Sequence, residues 1–514
     1  VTIAKHSDGS QNYYTIKIPG GVTTDYLRVC VGYIYNNRPI SISEMRFYTY
    51  DSLEDDILAL YADDLHVTLR DGVDEQTIEA LQTRLDTPDE ASGELHPERE
   101  ALQKELDNAR GLLTTALSDV VEVYTAITAK KDGHLGFTGL NAWQPLGVTA
   151  RAGEEIVVYV GSSNVATGAN AWLQLVATQY NSESGEAVSQ PIQLKVGRNE
   201  IMVPELVTFD AEHGGALYVQ YTGNSANDRY SVRVSGGETI PVLDLYGIDD
   251  PAQRKERVTA YVAALEAAAD SLNSRHDELH GDHGAYEAET CILNTTDVLL
   301  DQMMYSVPVS QLLAGLGSGS TADKAARLLS SVDAMDQMMV LFYQHKGLTD
   351  LAGAGEKNRL PSQHLNIRYM RIFAGTFMYA AGNHIGIGWD SVPGLGGGEP
   401  ITLHEDGSYR SGDLFGWGIA HEIGQGSYAV AEVTNNYFSQ ISQAHEGVRF
   451  GYDAIYSKVT SGTTGHSSDV FTQLGLYWQL HLAYDKGYEY EIYSNYDELF
   501  ASRFYARVDT YARN

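Results

Sequence analysis

The chain has 514 residues, with 35 basic and 68 acidic side chains and a formal net charge of −33. Phosphate binding needs a concentrated basic face, so this balance argues against a nucleic-acid partner, and the acidity reads as a solubilising surface. The length allows about three domains with their own cores, and no apolar run reaches the roughly 18 residues of a membrane-crossing helix.

Two cysteines, Cys30 and Cys291, lie far apart, which excludes a disulfide framework and leaves the compartment open. Tyrosine outnumbers phenylalanine 34 to 12 and there are 50 glycines, a balance that leans toward an extracellular, loop-rich protein with exposed aromatics. The sequence starts at Val1 in strand-like sequence and reads as part of a longer polypeptide.

Residues 1–50 alternate apolar and polar positions, as in Tyr13-Tyr14-Thr15-Ile16-Lys17-Ile18, and predict antiparallel strands. The run Ser41-Ile42-Ser43-Glu44-Met45-Arg46-Phe47-Tyr48 resembles the last strands of a galactose-binding-like β-sandwich, which implies the C-terminal part of a sugar-holding module. Residues 51–133 switch to helical spacing: Leu58, Leu65 and Leu69, then Leu102, Leu106, Leu113, Leu117 and Val121. This predicts a helical hairpin or small bundle acting as a spacer, with its turn in the charged, proline-containing stretch from Asp86 to Glu100.

Residues 134–240 return to strand-like runs such as Glu155-Ile156-Val157-Val158-Tyr159-Val160 and predict a β-sandwich. Residues 241–514 read as a mainly helical domain. Within it, the apolar run from Thr296 to Val307 predicts a helix that stops before Pro308, and Gly315 to Ser320 a flexible link. His384-Ile385-Gly386-Ile387-Gly388-Trp389 predicts a short strand, and Trp478, in Leu476-Tyr477-Trp478-Gln479-Leu480-His481-Leu482, belongs to the core.

The chemistry concentrates in Gly418-Ile419-Ala420-His421-Glu422-Ile423-Gly424-Gln425 and in Glu432-Val433-Thr434-Asn435-Asn436. In a His-Glu-x-x-His helix one turn separates two imidazoles that face one metal, and the Glu between them faces the metal-bound water. Here His421 and Glu422 are present, while Gln425, a poor zinc ligand, stands where the second His belongs.

With Gly416-Trp417-Gly418 in front, this stretch resembles the enhancin-like, mucin-degrading gluzincin metallopeptidases, and Trp143-Gln144-Pro145-Leu146-Gly147-Val148 resembles the sandwich that precedes their catalytic domain. The resemblance implies Zn2+, with His421 and Glu432 as ligands, Glu422 as general base, and Asn435 and Asn436 orienting the ligands. It also implies that the strand near His384 edges the cleft. Trp389 and Trp417 read equally as sugar-stacking or as packing residues, and Tyr452, Tyr456 and His466 as residues lining the cleft.

Spacing bears on the defect. On a continuous helix Glu432 would lie seven residues beyond Gln425, about 10 Å at ~1.5 Å per residue, too far to share its metal. Loss of a few residues, beginning with the second His, between Gly424 and Gln425 accounts for this better than substitution of His by Gln. A degenerate peptidase whose chain truly reads this way is the other possibility. A second histidine group, His276, His280 and His283, reads as a solvated polar turn, because Glu278 is misplaced for a base and Gly281 ends the helix.

The expected architecture is multidomain α+β: a partial galactose-binding-like β-sandwich at 1–50, a helical spacer at 51–133, a β-sandwich at 134–240 and a mainly helical gluzincin-like metallopeptidase domain at 241–514. The expected function is that of a secreted or surface-attached bacterial zinc metalloendopeptidase cleaving O-glycosylated, mucin-type glycoproteins. The alternative is a glycoprotein- or glycan-binding protein without a complete zinc site.

Overall fold

The computed structural model describes residues 2–7, 12–18, 22–26, 28, 51–90, 93–113, 116–130, 139–179, 190–206, 213–275, 288–289, 291–370, 377–380, 382–424, 433–443, 457 and 470–514. The chain divides into two compact units, Val1–Leu113 and Thr114–Asn514. Among the described residues no helix is long and apolar enough to cross a membrane.

In the first unit β1 (Thr2–Ser7) and β2 (Asn12–Lys17) pair antiparallel, in the alternating segments where strands were expected. The stretch Ser41 to Tyr48 lies outside the described residues. Three helices follow: α1 (Leu53–Leu58), α2 (Glu75–Asp86) and α3 (Arg99–Gly111). Asp74 caps α2 by accepting from the Thr77 amide, which satisfies one of the free N–H groups of its first turn. Leu53, Ile57, Ile78, Leu81, Leu85, Leu102, Leu106 and Ala109 form the buried face of these helices.

The helical stripe read as far as Val121 ends sooner. Helix α3 stops at Gly111, and β3 (Val121–Glu122) pairs with strand Tyr230–Ser235 of the second unit. An apolar residue every fourth position is also compatible with extended chain once the run is short and β-branched, and sheet pairing decided the outcome.

The second unit begins with a β-sandwich. Its strands are β5 (Trp143–Arg151), β6 (Glu155–Ser162), β7 (Asn170–Ala177), β8 (Ile192–Lys195), β9 (Gly197–Met202), β10 (Gly214–Tyr221), β11 (Tyr230–Ser235) and β12 (Glu238–Thr239). They form sheets of order β12-β5-β10-β7-β8 and β3-β11-β6-β9. Leu146, Ile156, Val158, Leu173, Leu175, Leu217, Val219 and Val232 fill the space between them.

A third, mixed sheet follows, built from β13 (Val242–Asp244), β14 (Thr296–Leu299), β15 (Met303–Val307), β16 (His364–Tyr369), β17 (Met378–Ala380) and β18 (Ile385–Ile387), in the order β13-β14-β15-β16-β18-β17. Strand β4 (Leu140–Asn141) pairs with β16. The outer face of β5, β7 and β10 meets this sheet through Trp143, Val176, Ala216, Tyr218, Leu299 and Met304.

The apolar run at Thr296 to Val307 is therefore a hairpin, not a helix. All nine residues of β14 and β15 are buried, and a strand buried on both faces carries no alternation by which to tell it from a core helix. Pro308 ends the hairpin and opens helix Val309–Gly315. Helices Pro251–Ser274 and Thr321–His345 lie between strands of this sheet and shorter helices follow it from Gly416, so the architecture is mixed α+β, with β-sandwich sheets ahead of a largely helical region.

Candidate functional site

The site is built where two short helices cross: Gly416–Gly424, which carries His421 and Glu422, and Thr434–Ser442, which carries Asn435 and Asn436. The first helix opens from a tight turn in which Phe415 and Gly416 both take left-handed backbone, at φ 62° and 72°. For a bulky residue such as Phe415 that conformation is costly and is held only by its surroundings. The two helices approach closely at Gly424, where a Cβ would lie 2.7 Å from the Asn435 Cα. Ser439 and Ser442 secure the other end, donating to the carbonyls of Trp417 and Gly416 at 2.9 and 3.3 Å.

The hydrogen bonds at the crossing fix the state of His421. The Trp417 indole, which can only donate, lies 3.1 Å from Asn436 Oδ1, so that atom is an acceptor. His421 Nδ1 lies 2.6 Å from the same oxygen and must therefore carry a hydrogen. Nε2 is left with its lone pair, which accepts from Asn435 Nδ2 at 3.0 Å. This tautomer, with Nδ1–H held by a neighbouring oxygen, is one in which an imidazole can meet a metal through Nε2. His421 and Glu422 are half-buried, and Asn435 and Asn436 are buried beneath them.

The structure thus brings His421, Asn435, Asn436 and Trp417 together. Trp389 packs edge-on against Tyr369 with ring centroids 5.5 Å apart, and its carbonyl accepts from Gln311. Gln425, Glu432, Tyr452, Tyr456, His466 and the group His276, His280 and His283 lie outside the described residues. The strand expected near His384 is β18, but β17 separates it from the sheet edge. It is β17, with Phe377 before it, that reaches the site: Met378 and Phe377 both lie near where a Gly418 Cβ would stand. Phe377 and Phe471 are exposed, and Phe471 tilts against Trp417 at 6.5 Å. Sequence reading missed both phenylalanines, since neither carries a motif.

A zinc peptidase site needs three protein ligands. Among the described residues of this crossing, His421 has the right tautomer for one, so the residues fit zinc only in part. A second group, His345, His481 and Asp485, offers ligand atoms that all lie within 4.8 Å of one another. Its ring nitrogens are already engaged, by the Tyr437 hydroxyl, the Glu489 carbonyl and Asp485. Arg503 Nη1 also sits 3.4 Å from Asp485 Oδ2. A divalent ion about 5 Å from that guanidinium would be repelled by roughly 7 kcal/mol at an effective dielectric of about 20. The group has the spacing of an incomplete metal cluster and the bonding of a buried polar network. The signal for it in the sequence was the His481 and Asp485 pair one turn apart.

No protein-family model matches the sequence, and no curated protein matches it. Solved structures do. The catalytic module of the metalloprotease ZmpA from Clostridium perfringens is 19 % identical, with 77 % of this chain and 69 % of that one covered and a TM-score of 0.53. The M60 catalytic domain of ZmpC from the same organism, in complex with the sialyl T antigen, is 20 % identical over 77 % and 74 %, with a TM-score of 0.53. A ZmpB structure comprising two CBM32 modules and the M60 catalytic domain is 20 % identical, with a TM-score of 0.59. It covers 90 % of this chain, which spans 46 % of its length. At these identities the likeness shows the fold: the chain has the architecture of M60-type catalytic domains with accompanying β-sandwich modules.

Proposed function

We propose that this chain is an extracellular glycoprotein-binding protein built on a zinc-metallopeptidase fold, its ligands O-glycosylated, mucin-type glycoproteins. The observation that carries the reading is the half-built ligand set: one imidazole in the ligand tautomer, with Gln425 where the second should be. Two imidazole or carboxylate ligands leave a weak, incomplete shell. The glycan preference is supported by the likeness to a ZmpC domain in complex with the sialyl T antigen. The exposed Phe377 and Phe471 beside Trp417 offer aromatic faces of the kind that meet the apolar face of a sugar.

The competing reading, an active bacterial zinc endopeptidase, draws on the His421 tautomer. In it His421 and Glu432 would hold Zn2+, which supplies Lewis acidity toward a peptide carbonyl. Glu422 would hold the proton as base, Asn436 would orient His421, and Asn435 would yield Nε2 to the ion. The two readings part in one experiment on purified protein: intact mass with peptide mapping across Gly418 to Gln440, zinc content, and binding and cleavage of a sialylated O-glycopeptide. The sequence mass as printed, with glycopeptide bound uncut and no zinc, is the expected result. One zinc per chain with cleavage overturns it in favour of the peptidase.

A further inference from the structure

The helix Thr434–Ser442 has two faces with different tasks. One presents Asn435 and Asn436 to His421. The other sends Tyr437 into the interior, where its hydroxyl lies 3.0 Å from His345 Nδ1 and 3.2 Å from His481 Nδ1. We propose that Tyr437 is a positioning residue for the candidate site: its hydroxyl, held between His345 and His481, fixes the rotation of this helix and so the two asparagines that clasp His421. The inference rests on the reading of that crossing as the functional site, and goes beyond it by naming what holds the site in register.

Three observations carry it. The proton arrangement is determinate: His481 Nδ1 donates to Asp485 Oδ2 at 2.8 Å, so Tyr437 accepts on that side. It then donates to His345 Nδ1, whose other nitrogen faces the Glu489 carbonyl at 3.3 Å. Burial, with the charge of Arg503 beside it, holds the His345 imidazole well below its ordinary range, which keeps it neutral and able to accept. The Tyr437 ring is also enclosed, with Tyr477 and Tyr505 edge-on at 5.3 Å and Trp478 at 5.6 Å. Packing leaves a cavity of about 10 Å³ beside it, room for one water at most, so the ring cannot swing while the hydroxyl stays bonded. Finally, Tyr437 directly follows Asn436, so a turn of the helix about its axis moves both.

The test is Tyr437→Phe, which keeps the ring and removes the hydroxyl. The readouts are the nitrogen chemical shifts of His421, which report its tautomer, and amide exchange over 434–442. The expected result is a mixed His421 tautomer and exchange faster by about tenfold, the scale of one buried hydrogen bond. His345→Leu, which removes the acceptor 92 residues away in the chain, should act in the same direction and serves if the first variant does not fold. Unchanged His421 shifts and helix exchange in a variant whose melting temperature has dropped would make Tyr437 plain packing and overturn the proposal. A wild-type chain that binds no glycopeptide defeats the functional reading but leaves the His421 readout able to decide this one.

Discussion

Two histidine centres lie on opposite faces of one nine-residue helix, and they differ in the company each imidazole keeps. His421 is half-buried and clasped by two neutral amides that select its tautomer. His481 is buried among Asp485, Glu489 and Arg503. Desolvation opposes its charge, but hydrogen bonds and Coulomb attraction from Asp485 and Glu489 outweigh it and raise its pKa. At His421 both nitrogens are held by neutral amides, whereas at His481 the partners are carboxylates, which favour the imidazolium and make it a structural ion. Residue type is the same, and the neighbours decide the role.

The largest effect should come from breaking the charged centre. Asp485→Ala leaves Arg503 and His481 buried without their anion, and should destabilise the second unit by about 3–5 kcal/mol in chemical denaturation. The Asp485 carboxyl, although burial raises its pKa, is held below its ordinary value by His481, so its contribution is present above pH 3.8 and lost as pH falls through the depressed value. His481 is raised, so its contribution is present below pH 6.5 and lost as pH rises through the elevated value. The gap between wild type and variant should therefore be widest between those two values. A constant gap from pH 4 to 9 would sink the ionic account.

A third buried centre separates burial from charge pairing. Asp297 accepts from Tyr218 and Ser306, hydroxyl partners, at 2.9 and 2.5 Å, and burial pushes its carboxyl up to about 6. A raised carboxyl favours folding while protonated, and that contribution is lost as pH climbs from 3.8 toward 6. Asp297→Asn removes this dependence, so the variant should gain about 3 kcal/mol on wild type between pH 4 and pH 7. Parallel stability curves for the two proteins would show that the carboxylate finds compensation elsewhere.

Smaller effects belong to the helix crossing. Gly424→Ala places a methyl against backbone at Asn435 and against Phe438, and should cost about 2 kcal/mol, since backbone cannot move aside as a side chain can. Asn436→Leu removes the acceptor shared by Trp417 and His421. Both donors are half-exposed and can turn to water, so the loss in stability should be only about 1 kcal/mol. Its signature is instead the loss of the Nδ1–H tautomer of His421 in nitrogen-detected spectra. A large melting shift with the tautomer intact would reverse the contrast between the two centres.

Much of this was legible in the sequence where local pattern is enough. Strand-like runs placed β6, β7 and β10, and the spacing of Leu102 and Leu106 placed α3. The segment around His421 stood out because one helical turn between chemically distinctive residues is a local fact. The hairpin at Thr296 to Val307 was read as helix because full burial erases the period that distinguishes the two forms.

By itself, then, the sequence determined the order of sandwich and helical regions, the acidity, and the incomplete His-Glu-x-x-His pattern, all of which depend on residues close in the chain. Only the tertiary structure decided that Asn436 selects the His421 tautomer, that β17 rather than β18 reaches the site, and that His345, Tyr437 and His481 meet. Those contacts join residues up to 136 positions apart, from His345 to His481. Hydrogen bonds and ion pairs at that separation follow from packing, which no periodicity along the chain records.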